Sequence, residues 1–155
     1  TDAEGRLVLA DALWYAQDRF RPTGIVDLAT LTGAVIIALG HHKAGYYATD
    51  EGLSGDLDSA CEATGDAAWR LPLDPAYAKQ IKSRKADIKN TGGRPAGSIT
   101  AAEFLHRFVE EGTPWVHIDI AGVAESSQGT DLAPKGATGW GVAALDRLVK
   151  ARLEG

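Results

Sequence analysis

The chain has 155 residues, 45% of them hydrophobic and 24% charged, which suits one domain with a sizeable core. Its net charge of −5 and pI near 5.3 leave no cationic footprint for nucleic acid or an anionic membrane, so neither is expected as a partner. A single cysteine, Cys61, excludes an internal disulfide or a multi-cysteine zinc site, and no apolar run approaches the roughly 20 residues of a membrane span; a cytoplasmic location is expected.

The chain opens on TDAEGRL, in which Asp2, Glu4 and Arg6 occupy alternate positions. If residues 1–6 are extended, all three side chains point to one face, an arrangement costly to bury without a purpose. Spacing alone leaves three readings open. Asp2 and Glu4 could be hard-oxygen metal ligands, with Arg6 holding an anion. The three could instead form a solvated charge cluster. Thr1 could also be a nucleophile whose own α-amine is the base, as in an autoprocessed hydrolase.

Residues 7–20 place Ala10, Leu13, Trp14, Gln17 and Phe20 at helical spacing, and RPTG stops the run. IVDLA (25–29) reads as a short buried strand. The chain then turns through Thr30 to Gly33 into a helix closed by Gly40. AGYYATD suggests another strand, and LSGDLDSACEATG another helix, with Cys61 as a small buried apolar residue. Residues 66–98 are irregular. Their cations Lys79, Lys82, Arg84 and Lys85 suit a solvated face, and their GGRPAG loop lacks the lysine of a phosphate-binding loop. TAAEFLHRFVEEG starts with a capping box of Thr100 and Glu103, WVHIDIAG is a strand, and the last 17 residues form an amphipathic helix.

Helices alternating with short buried strands indicate an α/β fold: a mixed, largely parallel sheet flanked by helices on both faces. Sites in such sheets form at the carboxyl ends of strands. Candidates are the segment before Leu7, TLTG after the first strand, and AGVA after residue 120. His41 and His42 are adjacent and splay apart, so they do not suit one metal. Asp27 and Asp119 lie inside apolar strands and read as hydrogen-bonded structural carboxylates. Methionine is absent and the charged motif comes with no lead-in, so a fragment or processed chain is expected.

The stretch TDAEGRLVLADAL resembles the signature of the leucyl aminopeptidase family, N-T-D-A-E-G-R-L, and lacks only its leading Asn. The resemblance continues through DLATLTGA, GDAAWRLPL, ADIKNTGGRPAGSITAAEFL, WVHIDIAGVA and KGATGWGV, and so covers essentially the whole chain. It implies a two-metal exopeptidase that releases N-terminal, leucine-like residues from peptides. By that resemblance Asp2 and Glu4 bind two divalent ions (Mn²⁺ or Zn²⁺, with Mg²⁺ a further candidate), and Glu4 bridges them. Arg6 matches the arginine that holds bicarbonate as general base. Thr30, Leu31 and Gly33 match site-lining residues, and Ala121 and Ala124 match the pocket for the first side chain. The resemblance further implies that the chain is the C-terminal half of a catalytic domain, inactive alone. An upstream segment of the same enzyme would supply two lysines and two more aspartates, and the assembly would be a homo-oligomer, a hexamer. A non-catalytic scaffold of the same fold is the alternative from a different class.

Overall fold

A computed structural model describes residues 3–131 and 133–154. Helix α1 (Glu4–Phe20) leads into strand β1 (Ile25–Ala29), helix α2 (Gly33–Leu39) and strand β2 (Ala44–Ala48). Helix α3 (Glu51–Thr64), strand β3 (Ala68–Arg70), helix α4 (Pro75–Ala78) and a 3₁₀ turn (Lys79–Ile81) follow. Helix α5 (Gly97–His106), strand β4 (Trp115–Asp119), a β5–β6 pair (Glu125–Ser126 with Gly136–Ala137) and helix α6 (Val142–Leu153) complete it.

The main sheet has the order β1-β4-β2-β3, with β1 parallel to β4, β2 parallel to β3, and β2 antiparallel to β4. The expected mixed, largely parallel sheet is therefore present. Alternation along the strands divides two cores between its faces. Tyr46, Val116 and Ile118 face α3 and α6 through Leu53, Leu57, Ala144 and Leu148. Trp115 and Ile25 pack on the other face with Ala10 and Leu13 of α1 and Phe104 and Leu105 of α5.

The structure corrects several expectations. Residues from Glu4 onward are helical rather than extended, because Ala3 adopts a left-handed backbone (φ 67°) that turns the chain straight into α1. The buried stripe of α1 is Arg6, Ala10, Leu13 and Gln17, whereas Trp14 and Phe20 are 60% and 70% exposed. Thr100 caps nothing: α5 starts at Gly97, so Thr100 lies inside it and its hydroxyl donates to the Gly97 carbonyl. Glu103 is diverted to accept the Asp74 N–H at 2.7 Å. Helix α5 also stops at His106 instead of Gly112. Gln17 of α1 accepts the Glu110 N–H and donates to the Phe108 carbonyl, and these bonds tie the chain after α5 to α1. The segment 66–98 gains β3 and α4, the latter capped by Asp74 with Pro75 in its first turn. Lys79, Lys82, Arg84 and Lys85 are all exposed, as a solvated face requires.

Cys61 is buried on α3, and burial together with Asp66 and Asp58 pushes its thiol up to about 11. It therefore stays protonated near neutral pH and reads as a packing residue.

Burial also holds the Glu103 carboxyl above the usual range, since desolvation penalises the ionised form. A carboxyl raised in this way binds its proton more tightly folded than unfolded, so stability falls as pH rises through its folded value. Glu103→Gln keeps an oxygen for the Asp74 N–H and removes that titration. The variant should melt higher than the parent at pH 7, with the gap closing below about pH 4 in thermal melts.

Candidate active site

Because β1 and β4 are neighbouring parallel strands, their carboxyl ends emerge side by side, joined by the bond from Ile120 N–H to the Ala29 carbonyl. Asp119, the last residue of β4, is 1% exposed. Its Oδ1 accepts the N–H groups of Leu31 (3.0 Å), Thr32 (3.3 Å) and Ala121 (3.3 Å), and its Oδ2 accepts the Thr32 hydroxyl at 2.6 Å. Thr32 Oγ1 in turn accepts the Val35 N–H and so caps α2. One buried carboxylate thus shapes both strand-end loops, and its charge is met by donors on every side.

The start of α1 reaches this region from another direction. The Arg6 guanidinium donates from Nη1 to the Asn90 carbonyl at 2.7 Å, and Asn90 Nδ2 donates back to the Ala3 carbonyl at 3.3 Å. This reciprocal pair fixes the left-handed Ala3 and carries segment 90–97 against α1. A cleft of about 400 Å³ opens between them, lined by Arg6, Leu31, Gly33, Gly92, Arg94 and Thr100 among others. Arg6 itself is only 7% exposed. A larger hollow of about 730 Å³ beside β3, lined by Lys43, Asp58, Cys61, Glu62, Trp69 and Arg70 among others, shares no residue with the cleft.

The structure therefore brings Arg6, Leu31 and Gly33 to one cleft. Glu4 is exposed, and two residues along a helix are turned by about 200°, so Glu4 and Arg6 do not share the face that an extended start required. Thr30 is exposed at the end of β1. Ala121 and Ala124 are half-buried in the turn after β4, outside the lining of the cleft. Asp2 and Thr1 lie outside the described residues. Among the described residues no group of three or more His, Cys, Asp or Glu side chains could hold a metal ion. Asn90 and Arg94 were not singled out by the sequence reading; their signal was the glycine-rich KNTGGRPAG run, whose packing partners no local rule supplies.

Asp27 and His41 have structural partners. Asp27 accepts from the Trp115 indole (2.7 Å) and pairs with His117 Nδ1 (2.5 Å), while His117 stacks between Tyr47 and Trp115. His41 Nδ1 donates to the Gly122 carbonyl at 2.7 Å, and a Cβ on Gly122 would sit 2.3 Å from the Gly40 carbonyl. The turn after β4 can press against α2 only with glycine there.

The profile described as "Cytosol aminopeptidase family, catalytic domain" matches residues 1–146. The chain belongs to the cytosol aminopeptidase family. A probable cytosol aminopeptidase of Dinoroseobacter shibae is 63% identical over the whole chain, which covers 32% of that protein. A second, from Cereibacter sphaeroides, is 58% identical over 99% of the chain and 32% of its own length. A mutant of tomato leucine aminopeptidase superposes with a TM-score of 0.90 at 43% identity, covering 97% of this chain and 29% of that one. The bottromycin maturation enzyme BotP in complex with Mn gives 0.89 at 38% identity, with coverages of 96% and 33%. The chain thus spans about a third of the length of the curated relatives it matches.

Within this aminopeptidase-family domain, Asp119→Ala should strand the buried donors of Leu31, Thr32 and Ala121. A loss on the order of 3 kcal/mol is expected in denaturant unfolding, together with faster amide exchange at residues 30–33. Asp119→Asn, which keeps one carbonyl oxygen, should lose less.

Proposed function

We propose that the full-length protein carrying this chain is a metal-dependent aminopeptidase that removes N-terminal, leucine-like residues from peptides. The observation that carries this reading is the cleft in which Arg6, locked by Asn90, meets the Leu31–Gly33 loop, locked by Asp119. Family membership and the names of the relatives support it.

The carboxylates of Asp2 and Glu4 suit hard divalent ions in chemistry, and they are this chain's contribution to a centre whose other ligands come from the rest of the protein. Bound there, two such ions (Mn²⁺ or Zn²⁺, with Mg²⁺ a further candidate) would polarise the scissile carbonyl and make water more acidic. That BotP was solved with Mn supports manganese as the first ion to test. Arg6 would hold a bicarbonate as the general base. Its attachment to the Asn90 carbonyl keeps the guanidinium from swinging away. Thr30 and Gly33 would line the substrate path, and the Leu31 carbonyl would accept a hydrogen bond from the attacking water or the substrate. Ala121 and Ala124, small side chains on the turn after β4, would leave room for a leucine-sized residue. Charge stabilisation is completed by groups outside this chain, so residues 1–155 alone should not turn over peptide. The full protein would act in the cytoplasm as a homo-oligomer, a hexamer.

Two measurements test the reading. Chelation should abolish release of leucine from leucine amide by the full-length protein, and Mn²⁺ or Zn²⁺ should restore it. Glu4→Gln keeps the shape but removes a charge, and should weaken metal binding by more than about tenfold in calorimetry. Unaltered metal stoichiometry and affinity in that variant would overturn the assignment. Arg6→Ala, by contrast, should slow turnover and abolish any response to added bicarbonate while metal content stays full.

A further inference from the structure

Among the described residues the charged groups lining the cleft are cations alone. Its lining includes two charged side chains, Arg6 and Arg94, and no Asp or Glu among the described residues. Arg6 is buried and bonded to Asn90, whereas Arg94 is exposed and takes part in none of the ion pairs among the described residues. An arginine that faces a ligand-sized cleft with no acidic neighbour there among the described residues is a fork-shaped donor set matched to a carboxylate.

Its backbone is held in place. Pro95 restricts Arg94 to extended conformations. Before it, a Cβ on Gly92 would lie 3.0 Å from the Thr100 side chain, so the loop is pressed against α5 there. Gly93 (φ 95°) and Ala96 (φ 53°) take left-handed conformations on either side, and the Thr100 N–H closes on the Ala96 carbonyl at 2.8 Å. Such anchoring lowers the ordering cost of gripping a ligand.

We propose that Arg94 binds a carboxylate carried by the peptide substrate beyond the scissile bond. The inference rests on the aminopeptidase reading. There the first side chain goes to Ala121 and Ala124, which lie outside the cleft lining, so the remainder of the peptide enters the cleft past Leu31 towards Arg94. Two arginines disfavour an amine in that space and favour an anion. The carboxylate is either the terminal one of a dipeptide or the side chain of an acidic second residue.

The test uses the full-length enzyme loaded with Mn²⁺ and compares kcat/KM for matched substrates. Leucylglycine against leucylglycinamide probes the terminal carboxylate. Leucylaspartyl amide against leucylasparaginyl amide probes the side chain. In at least one pair the acid should be preferred about five- to tenfold, through KM, and the preference should shrink at high salt. Arg94→Lys should keep part of the ratio, Arg94→Ala should bring it to about one, and Arg94→Glu should invert it. Arg94 is exposed, so these variants fold without a buried penalty.

Ratios unmoved by all three variants would overturn the proposal and leave the aminopeptidase reading standing. Absence of turnover of every leucyl substrate by the unmodified enzyme would take down both.

Discussion

The buried carboxylate of Asp119 is the constraint on which the site region depends. A charge with 1% exposure is tolerable only when donors surround it, and the donors it gathers are the N–H groups of Leu31, Thr32 and Ala121 with the Thr32 hydroxyl. Those four bonds come from two loops that are far apart in sequence. They can meet because β1 and β4 are adjacent and parallel, in register from Ile25 with Trp115 to Ala29 with Asp119. The sheet order places the loops together, and the carboxylate sets their shape.

A second lock works beside the first. Arg6 donates to the Asn90 carbonyl and the Asn90 side chain donates to the Ala3 carbonyl, so the first turn of α1 and the glycine-rich segment 90–97 are held as walls of one cleft. Two of the three non-glycine residues with left-handed backbones among the described residues, Ala3 and Ala96, adjoin the cleft; the third, Arg21, closes α1 at its other end. Each costs on the order of 1 kcal/mol, which the surrounding hydrogen bonds offset. A site built from four separate segments of chain needs such fixed anchors, because small displacements of one wall would spoil its geometry.

The two faces of the sheet divide the work. One is sealed by α3 and α6 over Tyr46, Val116 and Ile118 and is mainly apolar, with the Tyr46 hydroxyl bonded to Ser54 and Asp58 of α3. The other holds Asp27, His117, Tyr47 and Asp119, a line of polar groups each paired with a neighbour: Asp27 with Trp115 and His117, Tyr47 with Ser98, Asp119 with Thr32. Tyr47 is buried, and that burial raises its hydroxyl well above the usual range, so it remains a neutral hydrogen-bonding group.

Much of the fold was legible in the sequence because periodicity is local. The strands at 25–29 and 115–119, the helices ending near Gly40 and Gly65, and the α/β class all follow from apolar spacing and glycine stops. Family membership was legible too, since TDAEGRL and DLATLTGA are contiguous strings. Where the sequence misled, a distant partner had overridden a local rule. Thr100 and Glu103 spell a capping box, but Asp74 takes the glutamate; residues 107–112 continue a helical pattern, but Gln17 claims their backbone. Alternating charges at residues 2, 4 and 6 suggested one face, but the left-handed Ala3, held by Asn90, starts a helix that turns Glu4 and Arg6 apart. Residue types and short spacings by themselves determined the chemistry available to this protein. Which of those groups share a cleft was decided only by the tertiary structure, because buried polar atoms must find partners wherever the sheet order brings them.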